Sequence, residues 1–292
     1  MTLPFIVSLI SFIPQTPDTL KMAFVGDILL DRGVKSFIMQ HGTDTLFTPE
    51  ADSAFNYSDL VVANLECPAA TKGQRIFKKF MFNADPDLLT SLKKHGISHL
   101  NLANNHSVDM GRLGIMQTIE NVRGADMIPF GAGSNMEEAT KPLVIADYPR
   151  KVFLIASCQL TLENFPYLTD RPSVSQLSQG QICDLTRQLK DEYPECAVIV
   201  SLHWGKEHTL EPTTIQRQDA HQIILSGADA IIGCHTHTLQ TIETFCGKPI
   251  FYSLGNFIFD LHDEINRTTA IAILKITADN IIWEVVNTRN VM

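Results

Sequence analysis

Short apolar runs recur along the chain, and most stop at a glycine, an asparagine or an acid. Runs this short, bounded by turn residues, read as buried strands. They fall at residues 21–25, 59–65, 97–103, 127–131, 142–147, 151–157, 196–202, 229–233, 249–254, 269–277 and 281–286. Helical spacing of apolar positions predicts helices over 32–41, 86–95, 111–124, 175–193 and 213–226, with a short one near Glu137. Asp85 is the expected N-cap of the second and Gly96 its stop, and Pro212 precedes the last. Residues 71–83 and 161–173 show neither period and read as loops. The stretches 142–147 and 151–157 read as a hairpin, and the last two runs as a closing antiparallel pair. Strands alternating with helices predict an α/β fold, with one mixed sheet or two stacked sheets. A division near residue 150 is the alternative, but no linker composition supports it.

The first 19 residues stand apart from the expected domain at 20–292. Residues 3–13 form an apolar run of signal-peptide length, too short to span a bilayer, and 14–19 read as a linker. No Lys or Arg precedes the run, so an export signal and a packed strand both stay open, and the cell envelope and cytoplasm with them.

Composition narrows the partners. The 292 residues carry 23 basic and 32 acidic side chains, a net charge of −9, which argues against nucleic acid. The one compact basic cluster, Arg75, Lys78 and Lys79, reads as a solvated face or as a contact for an anionic substrate. The six cysteines (Cys67, Cys158, Cys183, Cys196, Cys234 and Cys246) include no C-x-x-C pair and read as buried free thiols.

Candidate chemistry lies where the strands stop. The first ends at Asp27, the second at Glu66, the third at Asn105-His106, a later one at His203, and the next at His235 and His237. In α/β sheets, ligands gather at the C-terminal ends of strands. If His235 and His237 continue an extended strand, both imidazoles point the same way. Carboxylate, amide oxygen and imidazole together suit Mn, Zn, Fe or Co rather than Ca. One or two such ions fit this set, and a carboxylate such as Glu66 or Asp27 can bridge a pair. Cys234 is expected to point into packing.

These residues resemble the calcineurin-like metallophosphoesterase superfamily, and more closely its branch named for the capsule protein CapA. The resemblance runs through Gly26-Asp27-Ile28-Leu29-Leu30-Asp31-Arg32, Asn64-Leu65-Glu66, the stretch from Leu102-Ala103-Asn104-Asn105-His106 to Asp109-Met110-Gly111, and His203-Trp204-Gly205-Lys206-Glu207. It continues through Gly233-Cys234-His235-Thr236-His237 and Ser253-Leu254-Gly255-Asn256. It implies a four-layer α/β/β/α sandwich and one or two divalent ions held by Asp27, Glu66, Asn105, His203, His235 and His237, with Glu66 bridging. It implies that His106 protonates a leaving group or steadies a phosphoryl transition state. Asp109 then orients His106 or caps the following helix, and Arg32 meets a substrate anion or lies on a helix surface. The superfamily's D-x-H motif has Leu29 in place of its histidine, and Glu66 stands where the wider superfamily has Asp. The implied activity is a metal-dependent phosphoesterase linked to poly-γ-glutamate capsule synthesis, with metal-activated water attacking a phosphoester. A non-hydrolytic binder or export component for the polymer, and a hydrolase of it, are the alternatives. Implied partners are an anionic substrate, phosphoester or polyglutamate, and capsule-synthesis proteins of the membrane.

Overall fold

The computed structural model describes residues 18–292, so the expected apolar segment at 3–13 lies outside the described residues. The chain first lays down β1 (Leu20–Ile28), α1 (Arg32–His41), α2 (Pro49–Tyr57), β2 (Leu60–Leu65), α3 (Leu89–Lys94), β3 (His99–Asn101), α4 (Gly111–Gly124) and β4 (Ile128–Phe130). A short pairing element β5 (Ala132–Gly133) and α5 (Met136–Thr140) follow. The second half supplies β6 (Leu143–Ala146), β7 (Val152–Cys158), β8 (Ser173–Val174), α6 (Gln179–Glu192), β9 (Ala197–His203), α7 (Thr214–Leu225), β10 (Ala230–Cys234), β11 (Ile242–Phe245) and β12 (Lys248–Phe251). The end of the chain adds β13 (Asn256–Ile258), α8 (Glu264–Arg267), β14 (Thr268–Ile276) and β15 (Ile281–Arg289).

Two sheets result. The first runs β15-β14-β1-β2-β3-β4, and the second β11-β12-β10-β9-β7-β6. Strand β1 joins both ends of the chain: its first half pairs antiparallel with β14, and its end pairs parallel with β13 through Asp27 and Asn256. The period-two alternation of β1 sorts its side chains. Met22 and Phe24 face the second sheet, where they meet Leu154, Ile199 and Ile232. Ala23 and Val25 face the other way, into a core with Val34 of α1, Phe55 of α2, Leu92 of α3 and Ile119 of α4. On the far side of the second sheet, Val198, Val200 and Ile231 pack against Ile182 of α6 and Ile223 of α7. Three apolar cores separate four layers, the α/β/β/α order that the resemblance implies.

Several expectations shift. The strand expected over 97–103 is only three residues long, because Leu102 to Asn104 turn away. The helix expected over 175–193 starts at Gln179, behind a capping box of Ser178 and Gln181. Ser173 and Val174 instead pair with β5. Residues 86–95 open with a 3₁₀ turn before α3, and α2, β11 and β13 carry patterns too short or too mixed to read. Five of the six cysteines are buried and all are free; Cys246 is exposed. No described helix is long and apolar enough to cross a membrane.

Two glycines let strands approach beside the site. A Cβ on Gly26 would meet the Gly255 carbonyl oxygen at 1.8 Å, and one on Gly233 the Tyr252 oxygen at 1.9 Å. Any side chain there pushes apart the strands that carry Asp27 and His235.

Candidate metal centre

Strands β1 and β2 run parallel in the first sheet and β9 and β10 in the second, and the residues at and just beyond their C-terminal ends converge between the two sheets. Asp27, Glu66 and His203 are fully buried, and His235 and His237 nearly so. Two groups form. Glu66, His203 and His235 make one, Asp27, Glu66 and His237 the other, and within each the ligand atoms lie within 4.8 Å of one another. Asn105 joins the first, its Oδ1 2.8 Å from His203 Nε2. Glu66 belongs to both.

Neither oxygen of Glu66 has a hydrogen-bond partner, and neither has His235 Nδ1. A buried carboxylate left this way is costly unless it is protonated or meets a cation. Burial, and then the Asp27 charge, push the Glu66 carboxyl well above its ordinary range. Asp27 goes the other way: burial alone would raise it, but bonds and charges from His237, His203 and Asn64 hold it below the usual carboxylate range. Burial lowers His203 well below an ordinary imidazole, helped by the His235 charge. Burial also lowers His235, to about 4, with His237 adding to it. Burial would depress His237 as well, but its bond to Asp27 raises it on balance. Asp27, His203 and His235 are thus shifted towards their deprotonated forms and Glu66 and His237 the other way, and the carboxylate and imidazole donors fit a divalent ion of the Mn, Zn, Fe or Co kind.

The turn carrying His235 and His237 is not extended. Their φ angles are 97° and 58°, in the left-handed region, so the two rings do not share one side of a strand. The His235 backbone N–H donates to Asp27 Oδ2 at 3.1 Å, and the curl sends each ring to a different group. Backbone of this kind in non-glycine residues is held by its surroundings and collects at functional sites.

A ring of amides fixes the ligands. Asn64 Nδ2 donates to Asp27 Oδ1 at 2.7 Å, and Asn64 Oδ1 accepts from Asn104 at 3.1 Å. His237 Nδ1 is 2.9 Å from Asn256 Oδ1, and Asn266 Nδ2 donates to the His237 carbonyl at 2.8 Å. Such partners set the tautomer and angle of ligating side chains. Asn104 also closes the turn before His106, accepting from His106 N and Ser107 N. The alternation of β2 places Asn64 on the same face as Glu66, a signal readable in the sequence; the roles of Asn256 and Asn266 depend on distant elements.

His106 stands beside this centre on a cleft of about 210 Å³, with Arg32, Phe80, Phe82, His237 and Phe259. Its Nδ1 is 2.9 Å from Asp109 Oδ2, and its ring stacks on Phe82 at 4.1 Å. Asp109 also accepts from the Phe82 N–H at 2.7 Å and is fully buried. The following helix has Met110 at its N-cap with no side-chain cap, so Asp109 bonds to the His106 ring and the Phe82 N–H and does not cap. Burial lowers the His106 pKa, and the Asp109 bond acts against it.

Lys78 departs from expectation. Its side chain is only 3% exposed, so it does not belong to a solvated face. Its ammonium lies 2.5 Å from Asp109 Oδ1 and donates to the Asn105 carbonyl at 2.9 Å. Residues 71–83 have no period, so the sequence carries no sign of this burial. Arg32 opens α1 at the rim of the cleft, with Nε 3.1 Å from Asp260 Oδ2 and its guanidinium 5.5 Å from the Phe82 ring. His208 also lines the cleft, and His221 pairs with Glu243 at 2.8 Å, although neither shows a partner in the sequence pattern. Trp204 is packing, with its Nε1–H donated to the Tyr252 carbonyl at 2.9 Å. Leu29, at the D-x-H position, is fully buried in the core against the helices. Cys234 is buried too, and burial pushes its thiol far above the ordinary range.

Comparison with known proteins agrees with this architecture. Haemophilus influenzae NAD nucleotidase (NadN) superposes with a TM-score of 0.56 at 10% identity, covering 93% of this chain and 49% of that one. A hypothetical protein from Thermus thermophilus gives 0.53 at 12% identity, covering 93% of this chain and 100% of that one. At such identities the likeness is one of fold, the metallophosphoesterase-like sandwich. Capsule biosynthesis protein CapA of Bacillus anthracis is 30% identical over 249 residues, covering 83% of this chain and 60% of that protein. PGA biosynthesis protein CapA of Bacillus subtilis (strain 168) is also 30% identical over 249 residues, covering 83% of this chain and 64% of that protein. The chain therefore spans less than two thirds of either relative. The family model of bacterial capsule synthesis protein PGA_cap matches residues 21–261. This chain belongs to the PGA_cap family of bacterial capsule synthesis proteins.

Proposed function

We propose that this chain is a metal-dependent phosphoesterase-type hydrolase serving poly-γ-glutamate capsule synthesis. The observation that carries the reading is Glu66, a fully buried carboxylate without a single hydrogen bond to its oxygens, shared by two groups of ligand atoms beside His106. In this reading Asp27, Glu66 and His237 hold one divalent ion, and Glu66, Asn105, His203 and His235 hold a second. When bound, the ions supply Lewis-acid polarisation of a phosphoryl oxygen and acidify water beside it.

The chain's own groups supply the rest. Asn64, Asn256 and Asn266 hold Asp27 and His237 in place, so little reorganisation is needed at the moment of reaction. His106 donates a proton to the leaving oxygen. Asp109 favours its imidazolium form, while burial makes the Nε2 proton easier to lose. Arg32 faces the same cleft as a planar donor for a substrate anion. Phe82 and Phe259, both buried, give the cleft apolar walls.

Leu29 supports a second reading. The position that would complete the ligands around Asp27 is taken by a leucine held in the core. The chain then holds one ion firmly and binds the anionic polymer without cleaving it.

Turnover measured with Mn²⁺, Zn²⁺, Fe²⁺ and Co²⁺ across phosphoesters and poly-γ-glutamate separates the two. The hydrolase reading expects metal-stimulated phosphoester cleavage. It also expects His235→Ala to weaken metal binding by about 100-fold or more. His106→Ala should keep the metal and lose about 100-fold in turnover. Bound metal with polymer binding and no cleavage supports the second reading. A wild-type protein that takes up no ion overturns both.

A further inference from the structure

We propose that a groove built on the turn of Asp109 and Met110 is the track for an extended polycarboxylate chain, an inference that rests on the reading of the site as one that meets an anionic polymer. The groove has a volume of about 660 Å³ and lies between residues 73–77, the start of α4 and residues 164–166. Its charged lining is Arg75 and Arg112, with no acid.

Its wall is built on the catalytic turn. Gln74 N–H donates to the Met110 carbonyl at 3.1 Å, and Ile76 N–H to the Asp109 carbonyl at 3.0 Å. The same segment continues into Phe80 and Phe82, which line the cleft beside His106. A chain lying in the groove therefore runs along the segment that ends at the cleft.

The charge is local and points outward. In a protein of net charge −9, residues 71–80 carry Lys72, Arg75, Lys78 and Lys79 and no acid. Lys78 turns inward to Asp109, while Lys72, Arg75 and Lys79 are exposed. Arg112 is a fixed part of the wall, donating to the carbonyls of Pro172 at 2.6 Å and Pro166 at 2.7 Å and lying 4.3 Å over the Phe165 ring. Arg75 has no ion-pair partner among the described residues, so its guanidinium is available to a carboxylate from outside. Phe77, 87% exposed at the groove, offers apolar surface for the methylenes between carboxylates. A polymer with one carboxylate per repeat on a partly apolar backbone matches both features.

Anisotropy of a labelled poly-γ-glutamate oligomer, titrated with the full chain, tests the track. Wild type should bind with an affinity that falls as salt rises. Arg75→Glu should weaken binding roughly tenfold, the scale of one lost charge-assisted contact turned repulsive. Because Arg75 is exposed and unpaired, folding is not at stake. Lys141→Glu, an exposed reversal outside the groove, should bind as wild type does. Wild-type affinity in Arg75→Glu, no polymer binding by wild type, or inorganic polyphosphate competing as well as unlabelled poly-γ-glutamate would each overturn the assignment. Metal content of the same samples reports separately on the centre. An Arg75→Glu variant that binds polymer normally while carrying its ion sinks the track alone, and a metal-free wild type that still shows the Arg75 effect sinks the centre alone.

Discussion

Strand β10 separates two buried carboxylates, Asp229 and Glu66. At its start Asp229 accepts from Lys190 and Lys248 at 2.6 Å each and from the Val198 N–H at 3.0 Å. Beyond its other end, past His235, Glu66 is at least as deeply buried and accepts from nothing. Burial acts on both carboxylates in the same direction, and their neighbours decide the outcome. For Asp229 burial pushes upward, but the two lysines and the backbone bond leave its pKa below the ordinary value. For Glu66 burial and the Asp27 charge add together, and its pKa is raised well above it. A carboxylate that the fold neutralises is part of the scaffold. One that the fold leaves without a donor keeps a place for a cation from outside.

Glu66→Gln gives the largest contrast. It should weaken metal binding by about 100-fold or more, since the shared ligand is gone. The metal-free protein should unfold at or above the wild-type temperature, because a neutral amide replaces a buried carboxyl whose charged form burial and the Asp27 charge disfavour. Proton linkage gives the same test a second readout. With its pKa raised in the folded state, Glu66 holds a proton that an ion must displace, so wild-type affinity falls as pH falls. Calorimetry in buffers of different ionisation enthalpy should show proton release on metal uptake by wild type and less by Glu66→Gln. Equal release would remove Glu66 from the ligand set.

Asp229→Asn should do the reverse. It leaves two lysine ammonium groups facing an amide and should cost about 1–3 kcal/mol, below the usual figure for a buried pair because both lysines are partly exposed. Metal affinity should not change. The Asp229 contribution is present above its ordinary pKa of 3.8 and is lost as pH falls through its depressed folded value. Chemical denaturation at neutral and acid pH checks both the size and the sign; a change in metal affinity would mean that the two ends of the strand are coupled.

Lys78→Met should have the smallest effect. It removes the ammonium that lies against Asp109 and the Asn105 carbonyl, two residues on the turn of His106. Metal should be retained, and kcat for a phosphoester should fall about tenfold with KM little changed, the range for a group that orients another. A parallel loss of metal would show that Lys78 supports the ligand Asn105 rather than the orientation of His106.

Much of this site was legible because its chemistry is local to strand ends. An apolar run followed by Asp27, Glu66, His203 or His235 is visible without knowing which strands are neighbours. The packing of the two sheets, β1 and β2 in one and β9 and β10 in the other, then brings the ends together. The support was less legible. Lys78 reads as a solvated lysine because the pocket that buries it is formed by residues 105–109. Asn256 reaches His237 only because β13 docks beside β1, a pairing set by the close approach of Gly26 and Gly255.

Hydrophobic period and residue chemistry act over a few neighbouring positions, so the alternation of strands and helices and the identity of the ligand-type residues were already present in the sequence. Which ligand-type residues come together, which carboxylate is left without a donor and which lysine is buried were settled only when the chain folded. Those properties depend on desolvation and on charges brought near by distant strands, and the left-handed turn at His235 and His237, held by a bond to Asp27, completes them.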